Sequence, residues 1–215
     1  MLGVETPVTD QRNFLSSFKN LRISDEEAKT ATKVLLSFLI CSKFIQGLTD
    51  DEIISNIFVL FAAGYETTAS ALQWAIYEIC KNPQLQNELY EEVKNFEESF
   101  DNLNAQKLPL LCGVINEVLR LYAPAGVHLR YCNEDVVING IPFTKGSNVE
   151  VPVDLLHESE EYWGADALEF RPARFVENPQ LHKEDFFLPF GAGPRNCVGM
   201  RFANMQGMMI SNLIL

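Results

Sequence analysis

One stretch near the end of the chain limits its fold more than any other: Phe190-Gly191-Ala192-Gly193-Pro194-Arg195-Asn196-Cys197-Val198-Gly199. Its glycines and proline exclude a regular helix ahead of Cys197. Residues 198–215 are apolar enough to form a buried helix, which we expect to begin at the cysteine. Unpaired backbone N–H groups at a helix N-terminus favour a thiolate over a thiol. The stretch therefore predicts a loop that presents one thiolate to a metal.

The spacing F-x-x-G-x-R-x-C-x-G resembles the haem-binding signature of the cytochrome P-450 family of haem-thiolate monooxygenases. At roughly 5% per residue type, five fixed positions agree by chance on the order of once in a few million starts. The alternative is a buried structural cysteine on a glycine-rich turn. The resemblance implies haem b (iron protoporphyrin IX) as cofactor, with Cys197 as its axial metal ligand. It also implies that Phe190 packs over the sulfur, that Gly193 and Gly199 let the backbone approach the porphyrin, and that Arg195 pairs with a propionate.

Charge and cysteine content exclude several other classes of function. A formal net charge of -12 over 215 residues argues against nucleic acid as a partner. The five cysteines contain no C-x-x-C pair, so neither a disulfide framework nor a zinc site is expected, which fits a reducing, cytosol-facing location. The acidic run at residues 87–101 is typical of a solvated helix face. Basic residues near the cysteine loop leave an acidic docking protein as an open alternative.

A long helix is predicted to begin after Thr49, because Thr49-Asp50-Asp51-Glu52 reads as a capping box. Apolar residues follow almost all round the helix, which is typical of a central, buried element. Asn82 and Pro83 supply a cap and a first-turn proline for the next helix, so the long helix should end at about Lys81.

Inside this helix, Ala63-Gly64-Tyr65-Glu66-Thr67-Thr68 interrupts the apolar pattern. A buried carboxylate is costly unless it is paired or has a function. The hexamer resembles the family element A/G-G-x-D/E-T-T, which crosses the haem face opposite the thiolate. The resemblance implies that Ala63 and Gly64 leave room for dioxygen, and that Glu66 and Thr67 are catalytic in proton relay and oxygen binding. The alternative is a Gly/Thr kink with Glu66 at the surface.

Two further helices are predicted at residues 83–94 and 108–121. The second contains Glu117-Val118-Leu119-Arg120, in which the i, i+3 spacing places Glu117 and Arg120 on one face. This E-x-x-R pair and Arg174, in Pro172-Ala173-Arg174-Phe175, resemble three family residues that lock the core on the thiolate side. We therefore assign Glu117, Arg120 and Arg174 a structural role.

Beyond Pro124 the pattern changes to short extended pieces that predict one small sheet, with turns at Asn139-Gly140 and Lys145-Gly146. The predicted strands are residues 127–132, 136–138 and 148–153. In the family such strands border the substrate pocket, and the resemblance implies that Arg130 contacts a haem propionate. His128 is interpreted as a pocket or surface residue, whereas His157 and His182 are interpreted as solvent-side loop residues.

The predicted fold is mainly α with a small β-sheet and resembles the C-terminal part of the cytochrome P-450 fold. Its elements in chain order are the long central helix, the E-x-x-R helix, an aromatic meander at residues 160–187, the cysteine loop and the final helix. Residues 1–48 are an uncertain leading segment. Residues 49–215 are expected to be the C-terminal haem-binding part of a single domain whose N-terminal part is missing. The local stretches FAAGYETT and LPFGAGPRNCVGMRFA most resemble those of the animal clan that contains the drug-metabolising liver enzymes and thromboxane synthase.

The function implied by the resemblance is insertion of one oxygen atom from O2 into a small apolar substrate. Electrons would come from NADPH through a reductase partner. An endoplasmic reticulum membrane location, on the cytosolic face, would depend on an N-terminal anchor that this chain does not contain. Two alternatives are a haem-thiolate isomerase or peroxygenase, and a truncated, non-catalytic fragment that binds haem poorly. The paired Glu66 and Thr67 favour the monooxygenase.

Overall fold

The computed structural model describes residues 49–94, 96 and 107–214. The predictions for residues 1–48 lie outside this part of the chain. The chain divides into two units, Met1–Leu60 and Phe61–Leu215. Of the first unit, the structure describes residues 49–60, and the elements discussed below lie in the second unit unless stated otherwise.

The first helix, α1, spans Asp50–Lys81 and begins at the predicted capping box. The backbone N–H and the hydroxyl of Thr49 both donate to Glu52 Oε2 at 2.8 Å, and the Glu52 N–H donates to Thr49 Oγ1 at 3.3 Å. These bonds satisfy donors that a helix end leaves unpaired. The hydrogen bonds from Thr49 lower the pKa of Glu52. The predicted start and end of this helix are confirmed.

The prediction that α1 is buried along its length is wrong for the described structure. Only Ala75, Glu78 and Ile79 are buried, while Phe61 is 69% exposed and Tyr65 is 70% exposed. Within the second unit, the described neighbours of α1 pack against it from Ala71 onward. An apolar helix is buried only where other elements cover it, and an apolar sequence alone does not supply them.

The next two helices are α2 at Pro83–Lys94 and α3 at Pro109–Leu121. Asn82 Oδ1 caps α2 by accepting the Leu85 N–H at 3.1 Å. The start of α3 is capped from another helix, because the Glu92 carboxylate accepts the N–H groups of Leu110 and Leu111 at 2.8 and 2.9 Å. Glu92 belongs to the acidic run interpreted as a solvated face. That interpretation is wrong for this residue, whose side chain complements the unpaired N–H groups of α3.

Replacing Glu92 with alanine is expected to lower the free energy of unfolding by about 1 to 2 kcal/mol, because two charge-assisted hydrogen bonds at the start of α3 are lost. Glu88→Ala is the matched control in the same helix, since Glu88 is exposed and accepts a hydrogen bond from Gln84 in its own helix. Its effect should stay within about 0.5 kcal/mol. Denaturant unfolding followed by circular dichroism measures both, and equal losses would contradict the capping role.

The extended region forms two separate antiparallel pairs rather than one small sheet. Strands β1 (Val127–Tyr131) and β4 (Asn148–Pro152) pair with each other, and β2 (Val136–Ile138) pairs with β3 (Ile141–Phe143). Asn139 and Gly140 form the two-residue turn between β2 and β3 with φ of 50° and 80°. Both angles suit a tight hairpin. Strand β3 is not predicted from the sequence because its central residue is a proline, which usually argues against a strand.

The remaining helices are short, apart from the last: α4 at Val153–His157, α5 at Glu160–Trp163, α6 at Ala173–Glu177 and α7 at Met200–Ile214. Single 3₁₀ turns occupy Leu181–Lys183 and Gly193–Arg195. Helix α3 lies at the centre of the second unit and contacts α2, α4, α6 and α7. The predicted mainly α architecture with little β structure is confirmed.

Two apolar clusters hold these elements together. One lies between the ends of α1 and α2, helix α3 and helix α7, and consists of Ala75, Ile79, Leu85, Leu89, Leu108, Leu111, Val114, Val118 and Met208. The other lies under the meander and consists of Leu119, Trp163, Ala167, Phe175 and Phe187. Because α3 contributes to both clusters, it links the helical part to the segment that leads into the cysteine loop. Among the described helices, none is long and apolar enough to cross a membrane.

Candidate functional site

The cysteine loop, residues 190–197, is closed at its base by one backbone hydrogen bond. The Cys197 N–H donates to the Phe190 carbonyl at 2.8 Å. Gly191 and Gly193 have φ of 71° and 75°, a region that residues with a side chain rarely adopt. The Phe190 ring is half-buried against the aromatic cluster, while Cys197 is an exposed free thiol. The sequence thus folds into a loop that leaves its single sulfur accessible.

The final helix begins later than the sequence suggested. Helix α7 starts at Met200, and its first helical bond runs from the Ala203 N–H to the Gly199 carbonyl at 2.8 Å. A turn in which Met200 N–H donates to Cys197 O at 3.3 Å separates the cysteine from the helix. The prediction that the helix begins at the sulfur is therefore wrong, because the Cys197 carbonyl accepts from the residue three positions on, in a turn, and the first bond of the helix is made by the Gly199 carbonyl.

The structure brings Glu117, Arg120 and Arg174 together in a buried ion cluster, with 0%, 1% and 4% of their surfaces exposed. Glu117 Oε1 accepts from Arg120 Nη2 at 2.9 Å and from Arg174 Nε at 3.0 Å. Glu117 Oε2 accepts from Arg120 Nε at 2.9 Å. The Arg171 N–H donates to Oε1 at 2.9 Å as well. One carboxylate therefore pairs with two buried guanidinium groups, and a second acid joins the cluster, since Arg174 Nη1 lies 3.3 Å from Asp166 Oδ1.

The rest of the Arg120 guanidinium is also satisfied. Nη1 donates to the carbonyls of His157 and Ala167 at 2.6 Å, and Nη2 donates to the carbonyl of Glu169 at 3.2 Å. Its carbon lies 4.9 Å from the ring centroid of Trp163. Complete pairing of this kind is what makes a buried charge tolerable. The cluster consequently ties α3 to the meander.

His157 contradicts its interpretation as a solvent-side residue, because its exposed fraction is 0%. It ends α4, which packs on α3 and turns the imidazole inward. Nδ1 lies 3.1 Å from the Arg120 carbonyl, and Nε2 accepts the Leu188 N–H at 2.9 Å. Both ring nitrogens are thus paired with backbone groups. His182 is exposed, as predicted, and His128 is half-buried.

Burial, with smaller contributions from the charges of Arg120 and His128, lowers the pKa of His157 from its ordinary value of 6.5 to about 4. The folded protein keeps this ring neutral, whereas the unfolded chain takes up a proton as the pH falls below about 6.5. Stability is therefore expected to fall by up to about 3 kcal/mol between pH 6.5 and pH 4 because of this residue alone.

The measurement is the pH dependence of the free energy of unfolding in wild type and His157→Gln. The wild-type curve should be steeper between pH 4 and 6.5, approaching one additional proton taken up on unfolding. His182→Gln, at an exposed histidine, serves as the control and should leave the wild-type slope unchanged. Identical slopes for wild type and His157→Gln would contradict the neutral, buried state.

The segment at residues 63–68 continues α1 without interruption, and Ala63, Gly64, Glu66 and Thr67 are exposed. Thr67 Oγ1 donates to the Ala63 carbonyl at 2.6 Å, a bond within one helical turn. A methyl group added to Gly64 would meet no atom within 4 Å. Within the described residues, no hydrogen bond or ion pair joins this segment to the cysteine loop. The two predicted halves of the site are both present and both open.

The two arginines predicted to meet propionates are exposed. Arg195 lies in the cysteine loop, and Arg130 lies on β1, where its Nη1 donates to the Leu129 carbonyl at 2.8 Å. His128 Nε2 lies 2.9 Å from the Leu188 carbonyl oxygen, so that face of β1 is turned towards the loop. Arg130 is on the same face, because strand side chains alternate. Neither arginine forms an ion pair with a carboxylate of the described residues.

These residues fit a haem. The accessible thiol offers an axial ligand, and Val198 beside it is 88% exposed, as suits a surface that meets an apolar macrocycle. A methyl group added to Gly199 would lie 3.7 Å from the Cys197 sulfur, so the glycine leaves the space beside the sulfur free of a side chain. Arg130 and Arg195 provide cationic groups for the two propionates of the macrocycle.

A helical unit with an accessible thiol on a glycine loop, supported by a buried Glu-Arg-Arg cluster, is the arrangement of a haem-thiolate protein. The family model described as Cytochrome P450 matches residues 9–215. The chain belongs to the cytochrome P450 family, whose members hold a haem through an axial cysteine. The resemblance stated from the motifs is confirmed.

Several curated relatives from animals are similar to this chain. "Putative cytochrome P450 CYP13A5" of Caenorhabditis elegans is 36% identical over 219 residues, which cover 99% of this chain and 42% of that protein. "Cytochrome P450 3A13" of Mus musculus is 41% identical over 173 residues, which cover 77% of this chain and 34% of that protein. "Cytochrome P450 3A28" of Bos taurus is 37% identical over 206 residues, covering 90% and 40%. The chain thus spans less than half the length of these relatives.

Proposed function

We propose that the gene product carrying this chain is a haem-thiolate monooxygenase that inserts one oxygen atom of O2 into a small apolar substrate. The observation that carries the proposal is the thiol of Cys197, free and exposed at the end of a closed loop that bears the family signature. When bound, the haem supplies the reductive activation of dioxygen. Electrons for that chemistry would come from NADPH through a reductase.

The residues of this chain have separate proposed tasks in binding the macrocycle. Cys197 Sγ would occupy the axial position, and the guanidinium groups of Arg130 and Arg195 would hold the propionates. The half-buried Phe190 ring would help to exclude water from the sulfur. Gly193 meets no atom within 4 Å of where its side chain would start, so the backbone can approach a flat ligand there.

Two residues of α1 are proposed to handle protons. The Thr67 hydroxyl donates its hydrogen bond to the Ala63 carbonyl. Its oxygen can therefore accept a hydrogen bond from a water molecule or a protonated ligand. The exposed Glu66 carboxylate can take a proton from solvent and release it one residue away from that hydroxyl. The pair therefore supports the monooxygenase over an isomerase, which needs no proton delivery.

The proposed partners are a small apolar substrate, O2 and a reductase, without nucleic acid. The net charge of -12 supports the absence of a nucleic-acid partner. Membership of the cytochrome P450 family supports the proposal of an NADPH-dependent reductase partner, and with it a location at the cytosolic face of the endoplasmic reticulum membrane.

The test uses the full-length gene product, a NADPH-dependent reductase and isotopically labelled O2 with small apolar test substrates. One labelled oxygen atom should appear in the product and the other in water, with consumption of NADPH. Product formation that needs no NADPH and takes up no label from O2 would instead support an isomerase. Failure to bind haem at all would contradict both.

Replacing Glu66 with glutamine is expected to slow NADPH-dependent turnover by at least about tenfold, because the amide cannot deliver protons. Turnover supported by hydrogen peroxide should change much less, since the peroxide brings its own protons. Glu88→Gln, at an exposed acid of α2, is the control and should affect neither rate. An equal loss of both rates would indicate damage to haem or substrate binding instead.

A further inference from the structure

The peptide group of Leu188 is held by two histidines from different elements. His157 Nε2 accepts the Leu188 N–H at 2.9 Å, and His128 Nε2 lies 2.9 Å from the Leu188 carbonyl oxygen. An N–H can only donate, so Nε2 of His157 carries no proton and its Nδ1 donates to the Arg120 carbonyl. A carbonyl oxygen can only accept, so His128 is protonated at Nε2. The two rings therefore have opposite roles at one peptide.

This peptide lies at the base of the cysteine loop. The Leu188 carbonyl also accepts the Gly191 N–H at 3.1 Å, and the next bond along the loop joins Cys197 N–H to the Phe190 carbonyl at 2.8 Å. A side chain on Gly191 would start 3.6 Å from His128 Nε2, so the loop passes directly over this imidazole. Movement of Leu188 would consequently move the residue that closes the loop on the cysteine.

On its other side, His157 is joined to the buried ion cluster. Its Nδ1 donates to the backbone carbonyl of Arg120 at 3.1 Å, and Arg120 Nη1 donates to the backbone carbonyl of His157 at 2.6 Å. The ring also packs against Phe187, with ring centroids 5.3 Å apart. A continuous series of hydrogen bonds thus runs from Glu117 through Arg120 and His157 to Leu188.

We propose that His157 and His128 are positioning residues for the thiolate: they hold the Leu188 peptide from both sides and so fix the cysteine loop relative to the buried ion cluster and β1. The ring hydrogen bonds that the described part of the chain shows for the two histidines go to backbone groups and not to the sulfur. The inference rests on the proposed function only in its last step, which is that a fixed loop keeps Cys197 in place as a ligand. The clamp on Leu188 itself is a property of the protein with or without haem.

The experiment is amide hydrogen exchange of the full-length gene product without haem, read at Leu188 and Gly191 and, as an internal reference, in helix α2. His157→Phe removes the acceptor for the Leu188 N–H while filling the space. We expect exchange at both amides to become about fivefold to tenfold faster, with the α2 amides unchanged. His157→Gln retains an acceptor oxygen and should recover most of the protection. His182→Phe is the matched control at an exposed histidine and should change neither amide.

His128→Phe provides an independent variant, because His128 is half-buried on a strand and its replacement should leave the fold intact even if His157→Phe does not fold. It removes one of the two bonds to the Leu188 carbonyl, and exchange at Gly191 should become faster by about the same factor. His128→Gln, which retains an N–H donor, should restore the wild-type rate.

A second readout links the clamp to the ligand. In the haem-loaded protein, both phenylalanine variants should raise the fraction of the reduced, carbon-monoxide-bound form whose Soret band lacks the red shift of thiolate ligation, and both glutamine variants should reverse this. Unchanged exchange at Gly191 in His128→Phe would overturn the clamp, and so would a failure of glutamine to rescue. If exchange becomes faster as expected but the wild-type gene product cannot be loaded with haem, the clamp stands and the proposed function is contradicted.

Discussion

Replacing Glu117 with glutamine is expected to lower the free energy of unfolding by about 3 to 5 kcal/mol, the largest effect on stability predicted for this chain. The substitution hardly alters the volume of the side chain but removes its charge. The guanidinium group of Arg120 then remains buried without its carboxylate partner, and Arg174 keeps only its longer pair with Asp166. Desolvation of an unpaired charge costs far more than the loss of an exposed pair.

Glu177→Gln is the matched control for this prediction. Glu177 also pairs with an arginine, because Arg171 Nη1 lies 2.8 Å from its Oε2, but that pair is exposed to solvent. Its loss should cost no more than about 1 kcal/mol. Denaturant unfolding of wild type and both variants measures the difference. If Glu117→Gln costs no more than Glu177→Gln, then the buried cluster does not support the fold.

Replacing Cys197 with serine is expected to abolish haem-thiolate ligation while leaving the stability of the haem-free protein within about 0.5 kcal/mol of wild type. The side chain is exposed, and the loop is closed by the backbone N–H of residue 197, which serine retains. A hydroxyl is a poor axial ligand compared with a thiolate. Haem content after purification and denaturant unfolding of the haem-free form measure the two effects separately.

Cys132→Ser provides the control for this substitution. Cys132 is a half-buried free thiol that donates to the Glu134 carbonyl at 3.0 Å, a bond that a serine hydroxyl can make. Haem content should therefore remain at the wild-type level. A large loss of stability in haem-free Cys197→Ser would show that Cys197 is a structural residue, which is the alternative reading of its loop.

Local signals in the sequence predicted most of the helix boundaries. The capping box at Thr49 and the Asn82-Pro83 pair depend on neighbouring residues only, so the ends of α1 and the start of α2 could be predicted from the sequence. The Glu117, Arg120 and Arg174 cluster was a different case. Its members lie up to 57 residues apart, and only the family resemblance suggested that they meet.

Features that depend on distant contacts were missed. Glu92 caps α3 from another helix, 18 residues earlier, and nothing in its own surroundings distinguishes it from the other acids of the run. His157 was interpreted as a solvent-side loop residue, whereas packing of α4 on α3 buries it. The predicted start of α7 was too early, since propensity does not show that the Cys197 carbonyl accepts from Met200 in a turn that precedes the helix.

The reduced carbon-monoxide difference spectrum of the full-length gene product, measured for wild type and Cys197→Ser, tests the central claim most directly. If Cys197 is the axial ligand, the wild-type protein shows the red-shifted Soret band of thiolate ligation, and the serine variant loses that band. Persistence of the red-shifted band in Cys197→Ser would contradict the assignment, as would a haem-loaded wild-type protein without it.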